Sequence, residues 1–143
     1  MTRTLQLVAR SGDDWLAMPA EAVEAVVRVA DVVPVPGAPA HVRGLAAIRS
    51  RILTLIDLPC LVGQPGARPV YMAIVSIDGH AYGISLDEVD DVMDLADAGP
   101  APARHSAGWS LIEPHIAEAG PRVILMVDPA KIIAAATALS LAA

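Results

Sequence analysis

The sequence predicts a mainly β protein made of small barrels or a sandwich, with short helical turns and a C-terminal helix. Short apolar segments separated by turn signals recur along the 143 residues, whereas helical patterns are few. The chain also repeats its own pattern. Residues 122–133 match residues 51–62 at an offset of 71 positions, and residues 81–95 match residues 15–29 at an offset of 66. Each half is therefore interpreted as one supersecondary unit used twice.

Two tight hairpins are the clearest local signals in the sequence. Asp78-Gly79 stands between two apolar segments, and this dipeptide strongly favours a type I′ turn. Arg49-Ser50-Arg51 is the short polar link between two other apolar runs, which also predicts a hairpin. The second of those runs ends at Asp57, and its match in the repeat ends at Asp128. Each aspartate is expected to accept backbone N–H groups at the start of the helical turn that follows.

The remaining elements follow from apolar runs and from proline and glycine. Pro19 suits the first position of a short helical turn, and Glu21 complements its N-terminal dipole. Residues 63–69 indicate a linker between the two halves. The other expected elements are strands at 5–9, 15–18 and 122–127, a helical turn over 19–26, an extended connector over 32–39, a loop over 96–108 and a helix over 129–141.

Composition argues against several classes of protein. The chain is 55% hydrophobic with a mean hydropathy of +0.52, so it is expected to fold. Its net charge is −6, its ten basic residues are scattered and its aromatic content is 3%, which argues against a nucleic-acid-binding surface. No apolar run reaches the roughly 20 residues that span a bilayer, and we find no signal-peptide pattern. A single cysteine fits a reducing compartment, so we expect a cytoplasmic protein without membrane insertion.

The order of these elements resembles the CheW-like domain from about residue 5 to residue 138. The matching features are the strand 15–18, the turn Glu21-Ala22-Val23, the connector Pro36-Gly37-Ala38-Pro39, the segments 44–50 and 52–57, the hairpin through 83–89 and the closing strand 124–128 with its helix. The resemblance implies two five-stranded SH3-like barrels within a single domain over residues 1–143. The first barrel would span about residues 1–68 and the second residues 69–143, with possible strand exchange between them.

The resemblance to the CheW-like family also implies a function without catalysis. Members of this family are chemotaxis coupling proteins that use no cofactor. They dock onto the regulatory domain of a CheA-type histidine kinase and onto the cytoplasmic tip of methyl-accepting chemoreceptors. The resemblance therefore implies a cytoplasmic scaffold that is recruited to membrane-associated receptor arrays.

A set of partner-binding residues follows from the same resemblance. It places Arg49 near the groove between the barrels, where a receptor tip docks, and a guanidinium there would suit a carboxylate or backbone carbonyls. Val23, Tyr71 and Val92 would lie close to that groove, and Val26 belongs to the same repeated pattern of valines and acidic residues. Packing in the core is the alternative role for the valines. A modest apolar patch rimmed by charge would suit a reversible interface.

The central turn departs from the family pattern. Members usually have Asn-Leu-Arg-Gly where this chain has Ala47-Ile48-Arg49-Ser50. Glycine adopts a positive φ at little cost, so Ser50 predicts a different turn or backbone strain. One alternative is therefore a divergent coupling protein of a non-flagellar chemosensory system that has lost one interface. A small ligand-binding β-barrel is the alternative from another class of protein.

No combination of residues in the sequence predicts catalysis or a metal site. Asp57 and Asp128 lack the Asp-Thr/Ser-Gly turn of aspartic proteases, and helix capping explains them better. Cys60 has no basic neighbour in sequence that would lower its pKa. The acidic residues between positions 87 and 94 predict a solvated face, with a site for a basic partner as the alternative. The histidines lack the spacing of zinc ligands and are expected in loops or on the surface: His41, His80, His105 and His115.

Overall fold

The computed structural model describes residues 3–66, 68–103 and 108–142, and strands make up most of its regular structure. The strands are β1 (Arg3–Ser11), β2 (Asp14–Pro19), β3 (Ala25–Arg28), β4 (Val32–Val33), β5 (Val42–Ile48), β6 (Arg51–Ile56), β7 (Tyr71–Ile77), β8 (His80–Leu86), β9 (Glu88–Ala96), β10 (His115–Ala119) and β11 (Arg122–Met126). The helical elements are a 3₁₀ turn at Ala20–Ala22, helix α1 (Leu58–Leu61) and helix α2 (Pro129–Ala142). His105 lies outside the described residues, so its position in a loop stays a prediction.

The strands form two sheets, and each sheet takes strands from both halves of the chain. Sheet 1 has the order β10-β11-β2-β1-β9, and sheet 2 has the order β3-β7-β8-β6-β5-β4. The sheets therefore do not coincide with residues 1–68 and 69–143, because β1 and β2 join strands of the second half while β7 and β8 join strands of the first. Residue 68 separates two copies of the repeat and does not separate the two sheets.

Four strand pairs join the two halves, the antiparallel pairs β1–β9 and β3–β7 and two parallel pairs, and the parallel pairs follow the repeat. β6 pairs with β8, with Thr54 opposite Tyr82, and β11 pairs with β2, with Leu125 opposite Leu16. Thr54 and Leu125 are 71 positions apart, and Leu16 and Tyr82 are 66 positions apart. These are the two offsets of the sequence repeat. The predicted repeat is thus confirmed at the level of strand register.

Each sheet curls until its two edges are connected, as a small barrel requires. In sheet 2 the chain that leaves β3 forms β4, and Val33 of β4 pairs with Leu45 of β5. In sheet 1 the chain that leaves β9 returns to β10, where the Ala98 N–H donates to the Ile116 carbonyl oxygen (2.9 Å). Strands β3 and β4, at the two edges of sheet 2, therefore count as one strand that is interrupted between them. Counted in this way, each barrel has five strands. The predicted mainly β fold with a C-terminal helix is confirmed.

Two segments form strands that the sequence does not predict. The helical turn expected over residues 19–26 is limited to Ala20–Ala22, and Ala25–Arg28 forms β3, which pairs antiparallel with β7. The acidic segment Glu88–Ala96 is the nine-residue strand β9. Carboxylates disfavour strands by local propensity, but arginines on neighbouring strands pair with those of β9. The connector expected over residues 32–39 supplies both residues of β4.

Three apolar clusters stabilise this arrangement. The inner face of sheet 1 is filled by small and branched side chains that include Val8, Ala17 and Ile124. Leu53 and Met72 belong to the corresponding cluster of sheet 2. Because strand side chains alternate between faces, the neighbouring residues of these strands point to a third and larger cluster that joins both sheets and both helices. Its members with almost no exposed surface include Leu16, Leu58, Ile84, Trp109 and Ile132.

Asp57 and Asp128 cap the two helices, as the sequence predicts. The Asp57 carboxylate accepts hydrogen bonds from the Cys60 N–H (3.0 Å) and from Arg43 Nε (2.8 Å), and the residue is only 3% exposed. The Asp128 carboxylate is exposed and accepts from the Ala130 N–H (2.9 Å). The two copies of the cap therefore differ in burial and in charge pairing.

Removing the two caps separately should reduce stability by different amounts. Asp57→Ala removes a cap and also the buried partner of Arg43, so we expect a loss of roughly 2–3 kcal/mol in the free energy of unfolding. Asp128→Ala removes a solvent-exposed cap, and we expect a loss of about 1 kcal/mol. Urea unfolding followed by tryptophan fluorescence measures both losses. Equal losses would contradict the distinction between a buried and an exposed cap.

Candidate partner-binding surface

The turn between β5 and β6 presents Arg49 in a left-handed backbone conformation. Ile48 pairs with Arg51, so Arg49 and Ser50 form a two-residue turn. The φ of Arg49 is 55°, and a side chain in this region costs roughly 1–2 kcal/mol relative to glycine. The sequence predicts strain or a different turn at Ser50, whereas the left-handed residue is Arg49. Backbone strain of this kind often accompanies a functional position.

The second copy of the repeat shows what the first copy has changed. Gly120 lies 71 positions after Arg49, in the turn between β10 and β11, and its φ is 61°. The two turns therefore have the same left-handed residue, and the second copy fills it with glycine. An arginine at the strained position of the first copy is consistent with a role outside folding.

The Arg49 side chain is exposed and free of partners within residues 3–66, 68–103 and 108–142. No hydrogen bond, ion pair or aromatic contact to its guanidinium is found in that part of the chain. Arg51, two residues later, is by contrast paired with Glu24, and its side chain is 47% exposed. Arg49 is therefore the unpaired guanidinium of this turn in the described part of the chain.

Arg51 joins the tip of the β5–β6 hairpin to strands on the other side of sheet 2. Its Nη1 donates to Glu24 Oε2 (2.7 Å) and its Nη2 lies 3.4 Å from Ser76 Oγ. Ser76 Oγ donates in turn to Glu24 Oε1 (2.6 Å). The hydrogen bonds from Arg51 and Ser76 hold the pKa of the Glu24 carboxyl below its usual range.

Three of the predicted residues lie on β3, at its entry and on β7; Val23 adjoins Glu24, whereas Tyr71 lies at the other end of β7 from Ser76. Val23 directly precedes Glu24, and Val26 pairs with Ala73 of β7. Tyr71 pairs with Arg28, whose guanidinium lies 5.1 Å from the ring centroid. The three predicted side chains are half-buried and pack against the main cluster. They thus serve packing and leave part of their surface at the edge of sheet 2.

Val92 lies on the other sheet. It sits on β9 opposite Leu7, and it is 47% exposed. Its equivalent in the repeat is Val26, 66 positions earlier, on β3. The structure therefore places Arg49, Val23, Val26 and Tyr71 on sheet 2 and places Val92 at the matching edge of sheet 1.

The Arg51–Glu24 ion pair, next to Arg49, was not predicted from the sequence, and the second copy has an equivalent pair. Arg122 on β11 pairs with Asp90 on β9, and its guanidinium lies 3.7 Å from the Trp15 ring centroid. Arg122 is the repeat equivalent of Arg51, and Asp90 is the equivalent of Glu24. The alignment of the repeat already places these four charged residues in register. A search for opposite charges at equivalent positions would have found both pairs.

Comparison with known proteins identifies the family. The family model of the CheW-like domain matches residues 6–137. The chain belongs to the CheW-like domain family. A chemotaxis protein CheW of Rhizobium meliloti (strain 1021) is 26% identical over 96 residues, which cover 64% of this chain and 62% of that protein, less than two thirds of its length. The crystal structure of the scaffolding protein TtCheW from Thermoanaerobacter tengcongensis matches with a TM-score of 0.79 at 20% identity, over 92% of this chain and 88% of that one.

The acidic strand of this CheW-like domain is largely neutralised from within. Arg3 pairs with Asp94 and Arg10 pairs with Glu88, both from the neighbouring strand β1. Asp90 is taken by Arg122, as described above, and Asp87 accepts from the Gly12 N–H. These contacts explain how β9 tolerates so many carboxylates. They also leave less free negative charge for a basic partner than the sequence suggests.

The histidines of the CheW-like domain do not form a metal site within the described residues, where no three His, Cys, Asp or Glu side chains are grouped to hold an ion. His41 lies in the turn before β5, in agreement with the predicted loop position, but it is buried there, and its Nε2 donates to the Ala136 carbonyl of α2 (2.9 Å). His115 is exposed and contacts Asp97, whose pKa is lowered by the Gly99 N–H and by His115.

In the described part of the chain, neither α-helix is long and apolar enough to cross a bilayer.

Cys60 should be a slow nucleophile. Burial and, secondarily, the nearby Asp57 carboxylate raise the pKa of its thiol, so less thiolate is present at neutral pH. We expect its alkylation by iodoacetamide at pH 7.5 to be roughly threefold or more slower than that of an unhindered cysteine peptide. Unfolding in urea should remove the difference. A native rate equal to or above that of the peptide would contradict this prediction.

Proposed function

We propose that this CheW-like domain is a non-enzymatic coupling protein that links chemoreceptors to a CheA-type histidine kinase. The relatives support this proposal, because one is named a chemotaxis protein and the other a scaffolding protein. The observation that carries it is the unpaired Arg49 guanidinium, held in a left-handed turn on the hairpin that Arg51 ties to Glu24, the residue after Val23. We further propose that the protein acts in the cytoplasm, at membrane-associated receptor arrays.

The receptor would bind at the edge of sheet 2. Val23, Val26 and Tyr71 supply a modest apolar surface, and Arg49 supplies an unpaired positive charge on the hairpin that Arg51 ties to Glu24, next to Val23. The cytoplasmic tip of a chemoreceptor is helical, and an amphipathic helix binds through an apolar stripe flanked by charge. Arg49 would pair with a carboxylate on the receptor helix, and its planar fork would fix the orientation of that helix. Val92, on the edge of sheet 1, would contact the receptor from the other barrel.

The kinase would bind a different part of the outer face of the same sheet, on β4, β5 and β6. Val33, Leu45 and Ile52 are exposed apolar residues on β4, β5 and β6. Val33 pairs with Leu45, and Leu45 pairs with Thr54, which lies two residues from Ile52, so the three side chains share the outer face. An apolar sheet face suits packing against the SH3-like regulatory domain of the kinase. Two separate weak interfaces would gain strength together within an array.

A small ligand-binding barrel is less well supported. The inner faces of the two sheets carry packed clusters, with Val8, Ala17 and Ile124 in one and Leu53 and Met72 in the other. Barrels of this size have little interior space beyond that needed by side chains. These observations favour the use of outer surfaces, which is the way a coupling protein works.

Arg49→Glu should weaken receptor binding without changing the fold. Reversal of the charge removes an ion pair and adds repulsion, so we expect roughly tenfold or more weaker binding to a receptor cytoplasmic fragment. Arg49→Gly should also weaken binding, and it should keep or slightly increase stability, because glycine fills the same position in the second copy. Pull-down and surface plasmon resonance measure the affinity, and thermal unfolding measures stability.

Arg68→Glu is the matched control for the Arg49 variants, since Arg68 is also exposed and the change in charge is the same. It should bind the receptor fragment as the wild type does. Wild-type binding by Arg49→Glu, or equal losses for Arg49→Glu and Arg68→Glu, would overturn the proposed receptor site.

The kinase interface is tested by calorimetric titration into the isolated regulatory domain of a CheA-type kinase from the same organism. We expect saturable one-to-one binding with a dissociation constant in about the micromolar range or tighter. Leu45→Asp should weaken this binding by roughly tenfold or more, because it places a charge in an apolar interface, and it should leave receptor binding intact. Absence of binding by the wild-type protein would refute the coupling function. Unchanged kinase binding by Leu45→Asp would refute the assignment of this face.

A further inference from the structure

We propose that Arg51, Glu24 and Ser76 form a clamp that fixes the position of the Arg49 turn against β3, and that this clamp sets the affinity of the receptor-binding surface. In this role the three residues are positioning residues. The proposal rests on the proposed receptor site, since it concerns how that site is held.

The clamp connects parts of the chain that strand pairing alone does not connect. Arg51 is the first residue of β6, Ser76 lies on β7, and Glu24 immediately precedes β3. In the sheet order β3-β7-β8-β6, β8 separates β6 from β7, so the Arg51 side chain reaches across β8. The three contacts measure 2.7, 3.4 and 2.6 Å and close a triangle. The Glu24 N–H also donates to the Ile74 carbonyl (2.8 Å), so the backbone under the carboxylate is fixed as well.

The position of the clamp explains why it would act on Arg49. Arg49 is two residues from Arg51, at the tip of a hairpin that pairs internally through Ile48 and Arg51. Val23, on the proposed receptor-binding edge, adjoins Glu24. The clamp therefore holds the charged tip and the apolar edge in a fixed relation. Binding is weaker when groups must first be ordered, and fixing them beforehand recovers that loss.

The clamp also leaves Arg49, and not Arg51, as the unpaired guanidinium of the turn. Arg51 is committed to Glu24, and Arg49 has no partner within the described residues. Without Glu24, two arginines would compete for one receptor carboxylate in two geometries. The acidic residue beside Val23 thus directs a partner's carboxylate to Arg49.

The equivalent ion pair in the second barrel separates positioning from simple stabilisation. Arg122 and Asp90 repeat the Arg51–Glu24 pair, but the turn that precedes Arg122 is Gly120-Pro121 and carries no charge. The side chains of both pairs are between 35% and 47% exposed, and ion pairs open to solvent add little to the stability of a fold. Loss of either pair should therefore change stability little. Loss of the first pair alone should change receptor affinity.

The test compares the receptor affinity of Arg51→Gln, Glu24→Gln and Arg122→Gln in the full-length protein, with Arg49→Glu as the reference for the site itself. The probe is a receptor cytoplasmic fragment, measured by surface plasmon resonance, with the unfolding temperature and kinase binding of each variant measured in parallel. We expect roughly three- to tenfold weaker receptor binding for Arg51→Gln and for Glu24→Gln, and wild-type binding for Arg122→Gln. The exchange of charges, Arg51→Glu with Glu24→Arg, should restore at least half of the affinity that Arg51→Glu alone loses.

The possible results separate the clamp from its competitors. If Arg51 contacts the receptor directly, Glu24→Gln will bind as well as the wild type or better, and the exchanged pair will not recover, which would overturn the clamp. If Arg51→Gln and Glu24→Gln both bind normally while Arg49→Glu does not, the clamp is wrong and the receptor site stands. If Arg49→Glu also binds normally, the receptor site itself is wrong and the clamp falls with it. Equal losses for Arg122→Gln would assign the effect to general stabilisation and would likewise overturn the proposal.

Discussion

The structure depends on the parallel pairing of β6 with β8 and of β11 with β2. Each pair joins a strand of one sequence half to a strand of the other, so neither half can satisfy the hydrogen bonds of a barrel alone. The same exchange brings both helices against one shared cluster that includes Leu58 and Ile132. The interior of each barrel holds few side chains and so buries little apolar surface. The shared cluster between the barrels adds the buried apolar surface that each interior lacks. The two barrels are thus joined by a shared apolar cluster as well as by exchanged strands.

The exchange also builds the proposed receptor-binding surface. Arg51 and Glu24 come from the first half of the chain, but strands β7 and β8, between β3 and β6, come from the second. Ser76, on one of these inserted strands, is the residue that bonds to Arg51 and Glu24 together. A charged hairpin tip, an apolar edge and the contacts between them therefore meet only in the assembled pair of barrels. The proposed surface is thus held by contacts between strands of both halves.

Sequence reasoning reaches the parts of this fold that are specified locally. The Asp78-Gly79 hairpin, the caps at Asp57 and Asp128 and the repeat offsets all depend on residues close together or on direct comparison of two segments, and the structure contains them. Strand β9 could not be predicted in the same way, because its carboxylates are neutralised by Arg3 and Arg10, about 80 or more positions away. The contact between Arg51 and Glu24 could not be predicted for a similar reason. Glu24 is 27 positions distant from Arg51 and lies across two intervening strands.

The comparison of the two copies argues most directly for where function has been added. Both copies share the parallel register and the left-handed turn residue, and both have an arginine–acid pair. Differences mark what one copy has gained. In the first copy the left-handed position carries Arg49 in place of glycine, and the helix cap Asp57 is buried with Arg43, where the second copy has Pro114. A left-handed arginine without a polar or aromatic partner in the described residues costs stability without a compensating contact, which is consistent with a role outside the fold. The first copy therefore presents the charge, and the second copy shows that the fold does not require it.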